Sequence, residues 1–327
     1  MADHLSGPFR KRRQVPHAFT GALNPLTRGY ALKILVTGSK GQLGRELGRQ
    51  GEAFRMEILP YDLPVLDISD RSRVEEFLDR DRPDLVINAA AYTQVERAET
   101  EVEQAFHVNR NGPENLALAC DRLRVPLVHI STDFVFDGVK KEPYLEDDPV
   151  SPINVYGQSK AEGEECVRRG TERHLIVRTS WLYSVYGHNF VTTMLRLGRE
   201  KPVIRVVDDQ FGCPTCAADL AEALLKIAVS MREGHPISWG TYHFCNSGII
   251  NWYQFAGQIF HAAGKYDRKP PPVLEPIHAA QYPSVVRRPA FSALNCGRIR
   301  EVFGIIPRNW LESLETTVRR IFRECPM

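Results

Sequence analysis

Residues 33–50, KILVTGSKGQLGRELGRQ, restrict what this chain can fold into more than any other stretch. An apolar, partly β-branched run passes directly into three glycines spaced GxxGxxG, and these pass directly into a run of helix formers. A buried strand, a glycine turn and a helix in that order form the opening unit of a sheet that binds an anionic group at a helix N-terminus. A pyrophosphate needs a tight turn and a backbone it can approach without a Cβ in the way; Gly38 and Gly41 serve those needs. Gly44 lets the helix pack close to the strand. The spacing therefore points to dinucleotide binding, against the plainer alternative of a structural turn.

The rest of the first half repeats the alternation. Apolar runs at 56–62, 84–91, 125–132 and 174–181 read as buried strands. Residues 71–80, 111–123 and 156–169 read as helices between them. Buried strands alternating with amphipathic helices predict an α/β fold with a doubly wound parallel sheet, its ligands at the carboxyl ends of the strands. Beyond about residue 178 prolines break the pattern, so a smaller C-terminal lobe is expected over 178–200 and 232–327. The dinucleotide-binding part is expected over 33–177, with 201–231 packing back onto it. Residues 218–231, 252–264 and 311–324 still carry helical apolar spacing. Residues 1–32 are rich in Gly, Pro and basic side chains and read as a disordered basic arm. The formal charge of the chain is +2, and the basic excess sits in that arm. Nothing in the body suggests nucleic-acid binding.

The run after the second strand ends in Tyr61-Asp62. An acid about 20 residues beyond a glycine loop can bond a ribose 2′-hydroxyl, which favours NAD. Lys40 in the loop can pair with a 2′-phosphate, which favours NADP, so the choice stays open. A next strand end is read at Leu66-Asp67-Ile68, able to present a carboxylate and an amide to adenine. Ala89-Ala90-Ala91 follow the fourth strand in this reading and are small enough for a cofactor to lie against them.

Tyr156 and Lys160 lie four residues apart at the start of a predicted helix, where i and i+4 side chains share a face about 5–6 Å apart. Ser131-Thr132-Asp133 close the strand before it. When hydride reaches a ketone, the carbonyl oxygen needs a proton. A free tyrosine has a pKa of about 10, and a cation within about 4–6 Å can lower it by roughly 1–3 units. The same ammonium can hold a nicotinamide ribose, and the Thr132 hydroxyl can hold the carbonyl oxygen. The alternative is an ordinary partly exposed helix.

Together, the glycine loop, NAAA (88–91), STDFVFDG (131–138), NVYGQSKAEGE (154–164), RTSWLY (178–183), DDQFGCPT (208–215) and RRPAFSALN (287–295) resemble the extended short-chain dehydrogenase/reductases. Within them they resemble the dTDP-4-dehydrorhamnose reductases, over roughly nine-tenths of the chain. The resemblance implies a Rossmann-type fold and NADPH-dependent reduction, with NADH possible, of the 4-keto group of dTDP-4-dehydro-β-L-rhamnose. It makes Tyr156 the proton donor, Lys160 the cofactor-holding base and Thr132 the tuning group. It implies cofactor contacts at Gly41, Gln42, Leu43, Asp62, Asp67, Ile68, Ala91, Tyr92 and Thr93, beside Gly38, Gly44 and Ala89 from the residue reading. It assigns substrate contact to Trp181, with Asp133 beside Thr132; Arg288 suits a diphosphate because a guanidinium fork matches phosphate oxygens. Two departures stand out. Phe134 replaces a tyrosine common in the family. Glu46 matches one acidic residue of a magnesium-linked dimer, but Ala217 and Ala218 stand where another is expected. No metal site is expected, and a homodimer stays open.

The hydrophobic fraction of 43% and charged fraction of 25% are those of an ordinary globular protein. No apolar run is long enough to span a membrane. Seven widely spaced cysteines and no export signal point to reduced thiols in the cytoplasm. Cys213-Pro-Thr-Cys216 could be a redox dithiol or half a zinc site, but no second pair completes the latter. Another nucleotide-sugar reductase or epimerase is the nearest rival reading. A regulatory subunit like the β subunit of methionine adenosyltransferase shares the fold and YxxxK; Trp181 and the DQFG segment favour the reductase.

Overall fold

The computed structural model describes residues 31–324; the expected arm lies outside these except for Ala31 and Leu32. Six strands form one parallel sheet: β1 (Leu32–Thr37), β2 (Met56–Tyr61), β3 (Leu85–Asn88), β4 (Leu127–Thr132), β5 (His174–Thr179) and, after an intervening strand β6 (Val203–Val207), β7 (Gly240–His243). Their spatial order is β7-β5-β4-β3-β1-β2. The chain steps outward from β1 to β2, then returns to the other side of β1 as β3. Thr37 is level with Tyr61 on one side and Asn88 on the other. The crevice between β1 and β3 is the switch point at which such sheets bind ligands.

Successive side chains of a strand face opposite sides, and both sides of this sheet are covered. Ile34 and Val36 pack beneath α1 (Gln42–Gly51) and α6 (Ala217–Arg232). Leu35 and Val86 pack against α2 (Arg71–Asp81) and α3 (Gly112–Leu123). This two-sided burial explains why β1, β3, β4 and β5 read as continuous apolar runs. The helix α4 (Val155–Gly170) joins β4 to β5.

A third cluster forms the smaller lobe. It is built from α5 (Phe190–Glu200), α7 (Trp252–Ala263) and α8 (Trp310–Glu324), with β6 paired in parallel to β8 (Val273–Ile277). Asn189 starts α5 by a capping box with Thr192.

Three features differ from the sequence reading. No strand ends at Leu66-Asp67-Ile68; the segment is turn, held by Asp67 Oδ1 accepting from the Ser69 amide at 2.9 Å and by Asn115 donating to the Ile68 carbonyl at 3.1 Å. Ala89–Ala91 therefore follow the third strand. Gly240–His243, within the segment expected in the smaller lobe, is the sixth strand of the main sheet. Of 201–231, α6 packs on α1 while Val203–Val207 pairs within the smaller lobe.

Candidate functional site

The glycine loop takes its shape from contacts that exclude side chains. Gly38 has φ +66, and a Cβ there would lie 2.6 Å from the Ala90 nitrogen. A Cβ on Gly44 would lie 2.4 Å from the Gly38 carbonyl oxygen, so α1 seats directly on the turn. Gly41 is the N-cap of α1, and no side chain caps that end. The first helical amides, at Gln42 and Leu43, thus open on a cavity of about 860 Å³ at the carboxyl ends of β1, β3 and β4.

The second wall holds the tyrosine. Asn154 caps α4 by accepting from the Gly157 amide at 2.8 Å. A Cβ on Gly157 would lie 2.2 Å from the Phe134 carbonyl oxygen. Glycine at this position lets the helix close onto the turn after β4, which brings Tyr156 against Thr132 and Phe134. The Phe134 and Tyr156 rings meet edge to face at 5.5 Å.

Burial pushes the Tyr156 phenol up to about 12, and Asp133 reinforces the shift while the Thr132 hydroxyl opposes it. The expected lowering by Lys160 is not found. Lys160 is buried, and its Nζ donates to the Ile130 carbonyl at 2.7 Å. Burial pushes Lys160 itself down to about 8, with Glu164 opposing. The phenol is thus fully protonated at neutral pH, the form a proton donor needs. Asp133 is pushed up to about 6 by burial, and its Oδ2 has no hydrogen-bond partner among the described residues.

The cavity brings together nearly all of the residues singled out in the sequence: Gly38, Gly41, Gln42, Leu43, Asp62, Asp67, Ile68, Ala89, Ala91, Thr93, Thr132, Asp133, Tyr156, Lys160, Trp181 and Arg288. Gly44 stands behind the loop as a packing residue. Tyr92 is not in the lining; its backbone is held by Asn109 and its hydroxyl donates to Glu101. Asp62 accepts from the Lys40 and Leu63 amides, both at 2.8 Å, while the Lys40 ammonium donates to the Leu63 carbonyl at 2.7 Å. The acid and the base proposed to compete for the ribose therefore sit side by side at one corner. Arg288 is held by Glu96 at 2.9 Å.

Sequence reasoning missed Trp252, which stacks beneath Trp181, and Thr179, and it gave Ser131 no role; the buried hydroxyls of Thr179 and Ser131 line the cavity without partners among the described residues. Trp252 sits on a helix whose apolar pattern reads as ordinary core, so no local signal marked it. The CPTC thiols part ways. Cys213 packs with Cys245 behind the site, whereas Cys216 meets the Thr317 hydroxyl at 3.4 Å. Among the described residues no group of three or more His, Cys, Asp or Glu could hold a metal ion, and no helix is long and apolar enough to cross a membrane. Glu46 is buried between Arg49 and Arg320, each at 2.8 Å.

Residues 32–322 match the family model described as the RmlD substrate binding domain. The chain is 41% identical to a dTDP-4-dehydrorhamnose reductase of Aggregatibacter actinomycetemcomitans, over 86% of this chain and 97% of that protein. It is 42% identical to one of Sinorhizobium fredii, over 90% of this chain and 99% of that protein. The crystal structure of the Bacillus anthracis dTDP-4-dehydrorhamnose reductase in complex with NADP superposes with a TM-score of 0.83, at 37% identity, covering 89% of this chain and 99% of that one. A glycine cradle at the switch point, a protonated tyrosine facing it and likeness along nearly the whole length agree: the chain belongs to the dTDP-4-dehydrorhamnose reductase family.

Proposed function

We propose that this protein reduces the 4-keto group of dTDP-4-dehydro-β-L-rhamnose to give dTDP-L-rhamnose, with NADPH as cofactor. The observation that carries the reading is a single cavity lined by both the glycine loop and the Thr132–Tyr156–Lys160 group. The glycines whose Cβ atoms would collide with the backbone fit a pyrophosphate, and the uncapped α1 N-terminus fits its charge. Gly38, Gly41, Gln42 and Leu43 would hold the diphosphate, Asp62 and Lys40 the adenosine ribose, Asp67 and Ile68 the adenine, and Ala89, Ala91, Thr93 and Lys160 the nicotinamide half. Bound there, NADPH supplies the hydride.

The chain's own residues do the rest. Thr132 holds the carbonyl oxygen. Tyr156 gives its proton to that oxygen as negative charge develops on it, and Lys160, whose ammonium does not reach the phenol, holds the nicotinamide ribose. Trp181 offers a flat apolar face to the sugar. Arg288, once free of Glu96, pairs with the diphosphate. The test is oxidation of NADPH and, in parallel, of NADH by the purified protein with the keto sugar. Oxidation that depends on the sugar and yields dTDP-rhamnose is expected. Cofactor binding without turnover would overturn the proposed substrate.

A further inference from the structure

Beneath Lys160 lies a chain of buried side chains that the proposed reaction does not use. Thr37 Oγ1 donates to Asn88 Oδ1 at 2.7 Å, Asn88 Nδ2 meets His129 Nδ1 at 3.0 Å, and His129 Nε2 lies 3.4 Å from Lys160 Nζ. Asn88 and His129 are wholly buried. One contact fixes every orientation in the chain. The Ala90 amide, which can only donate, points at Asn88 Oδ1 at 3.2 Å. A turned carboxamide would set its NH₂ against that amide, so Nδ2 faces the histidine and Nδ1 must accept. An imidazole whose Nδ1 accepts is neutral and carries its proton on Nε2. That N–H points at the lysine. An ammonium has only donors to offer it, whereas a neutral amine has a lone pair.

We infer that His129, locked by Asn88 as the Nε2–H tautomer, is a positioning residue that denies Lys160 a second acceptor in the pocket floor. Among the described residues the lysine is left with the Ile130 carbonyl as its one acceptor, and its ammonium is completed by a bound cofactor; this consequence rests on the proposed NADPH reading, while the tautomer does not. The groups around Lys160 agree. His129 faces it from β4. Tyr156 and Glu164 flank it on α4, and the Glu164 charge is taken up by Arg178 of β5 at 2.7 Å and by Arg168. Asp133 lies nearer Tyr156. Burial and the Lys160 charge hold His129 well below its usual range. Burial, opposed by Glu164, pushes Lys160 down to about 8.

If cofactor binding requires the ammonium, NADPH affinity of the wild type falls about tenfold between pH 7 and pH 9. His129→Gln offers Lys160 a carboxamide oxygen and should reduce that fall to about twofold or less. Asn88→Asp accepts from Nδ1–H and should turn the tautomer round, with the same flattening. The experiment has two readouts on the full chain. Nitrogen-15 NMR of histidine-labelled free protein reports the tautomer, and fluorescence titration with NADPH at both pH values reports affinity. A neutral Nε2–H imidazole together with flattening in both variants is expected. An Nδ1–H tautomer, an imidazolium, or an unchanged fall in both variants would overturn the inference. A wild type that binds no NADPH at either pH contradicts the proposed function instead, and the NMR tautomer then decides this inference alone.

Discussion

Trp181 lies flat on Trp252, their ring centroids 3.4 Å apart and their planes 7° from parallel. Trp181 also holds φ +47, a left-handed conformation that a bulky residue adopts only when its surroundings enforce it. A Cβ on Gly212 would lie 2.5 Å from the Trp181 ring. The tryptophan is therefore stacked on a second indole and closely approached by a glycine, with the rest of its surface on the cavity.

Trp252→Leu removes the stacking partner but leaves an apolar side chain. Aromatic pairs contribute about 0.5–1.5 kcal/mol beyond their buried area. The KM for the nucleotide sugar should rise roughly 3–10-fold with kcat little changed, the signature of lost uniform binding. Steady-state kinetics with NADPH saturating provides the check; a fall in kcat alone would contradict the assignment.

Glu96 holds both Arg288, at 2.9 Å, and the Ser284 hydroxyl, at 2.7 Å. The pair is partly exposed, so it is worth no more than about 1 kcal/mol. Glu96→Gln frees the guanidinium for the diphosphate, and the KM for the nucleotide sugar should fall by up to about fivefold. Arg288→Ala should raise it. Movement of both in the same direction would show that the arginine serves only the ion pair.

Asp133 gives stability a pH dependence of known sign. Its carboxyl is pushed from the ordinary value up to about 6 by burial. Its stabilising contribution is therefore present below the usual carboxylate range and is lost as pH rises through 6. Asp133→Asn cannot ionise. Its stability relative to wild type should improve between pH 4 and pH 8 by on the order of 2–3 kcal/mol. Urea unfolding at both pH values measures this; equal differences would mean that the carboxylate finds a partner in solution.

Much of the sheet was legible because parallel strands buried on both faces read as unbroken apolar runs. GTYH was not, since an edge strand opening on Gly240 has no such run. The β6–β8 pair was hidden for another reason: two five-residue strands far apart in sequence, one containing Pro276, announce nothing locally. In the site, the glycine spacing and the shared helix face of Tyr156 and Lys160 could be read directly. The sign of the tyrosine shift could not. Spacing sets where two Cα atoms stand, while the long lysine chain turned down to the Ile130 carbonyl, which only the folded β4 brings there.

Tyr156→Phe keeps the ring against Phe134 and removes the one hydroxyl proposed to give up a proton. Turnover should fall by about 10²-fold or more, with NADPH affinity retained. Unchanged turnover would pass the role to another group.

The most direct measurement follows a label. Wild-type protein is given NADPH carrying deuterium at the transferable position, together with dTDP-4-dehydro-L-rhamnose, and the product is read by NMR. Deuterium at C4 of dTDP-L-rhamnose is the predicted result. A sugar with no deuterium at C4, or an unreduced sugar beside intact NADPH, would contradict the account.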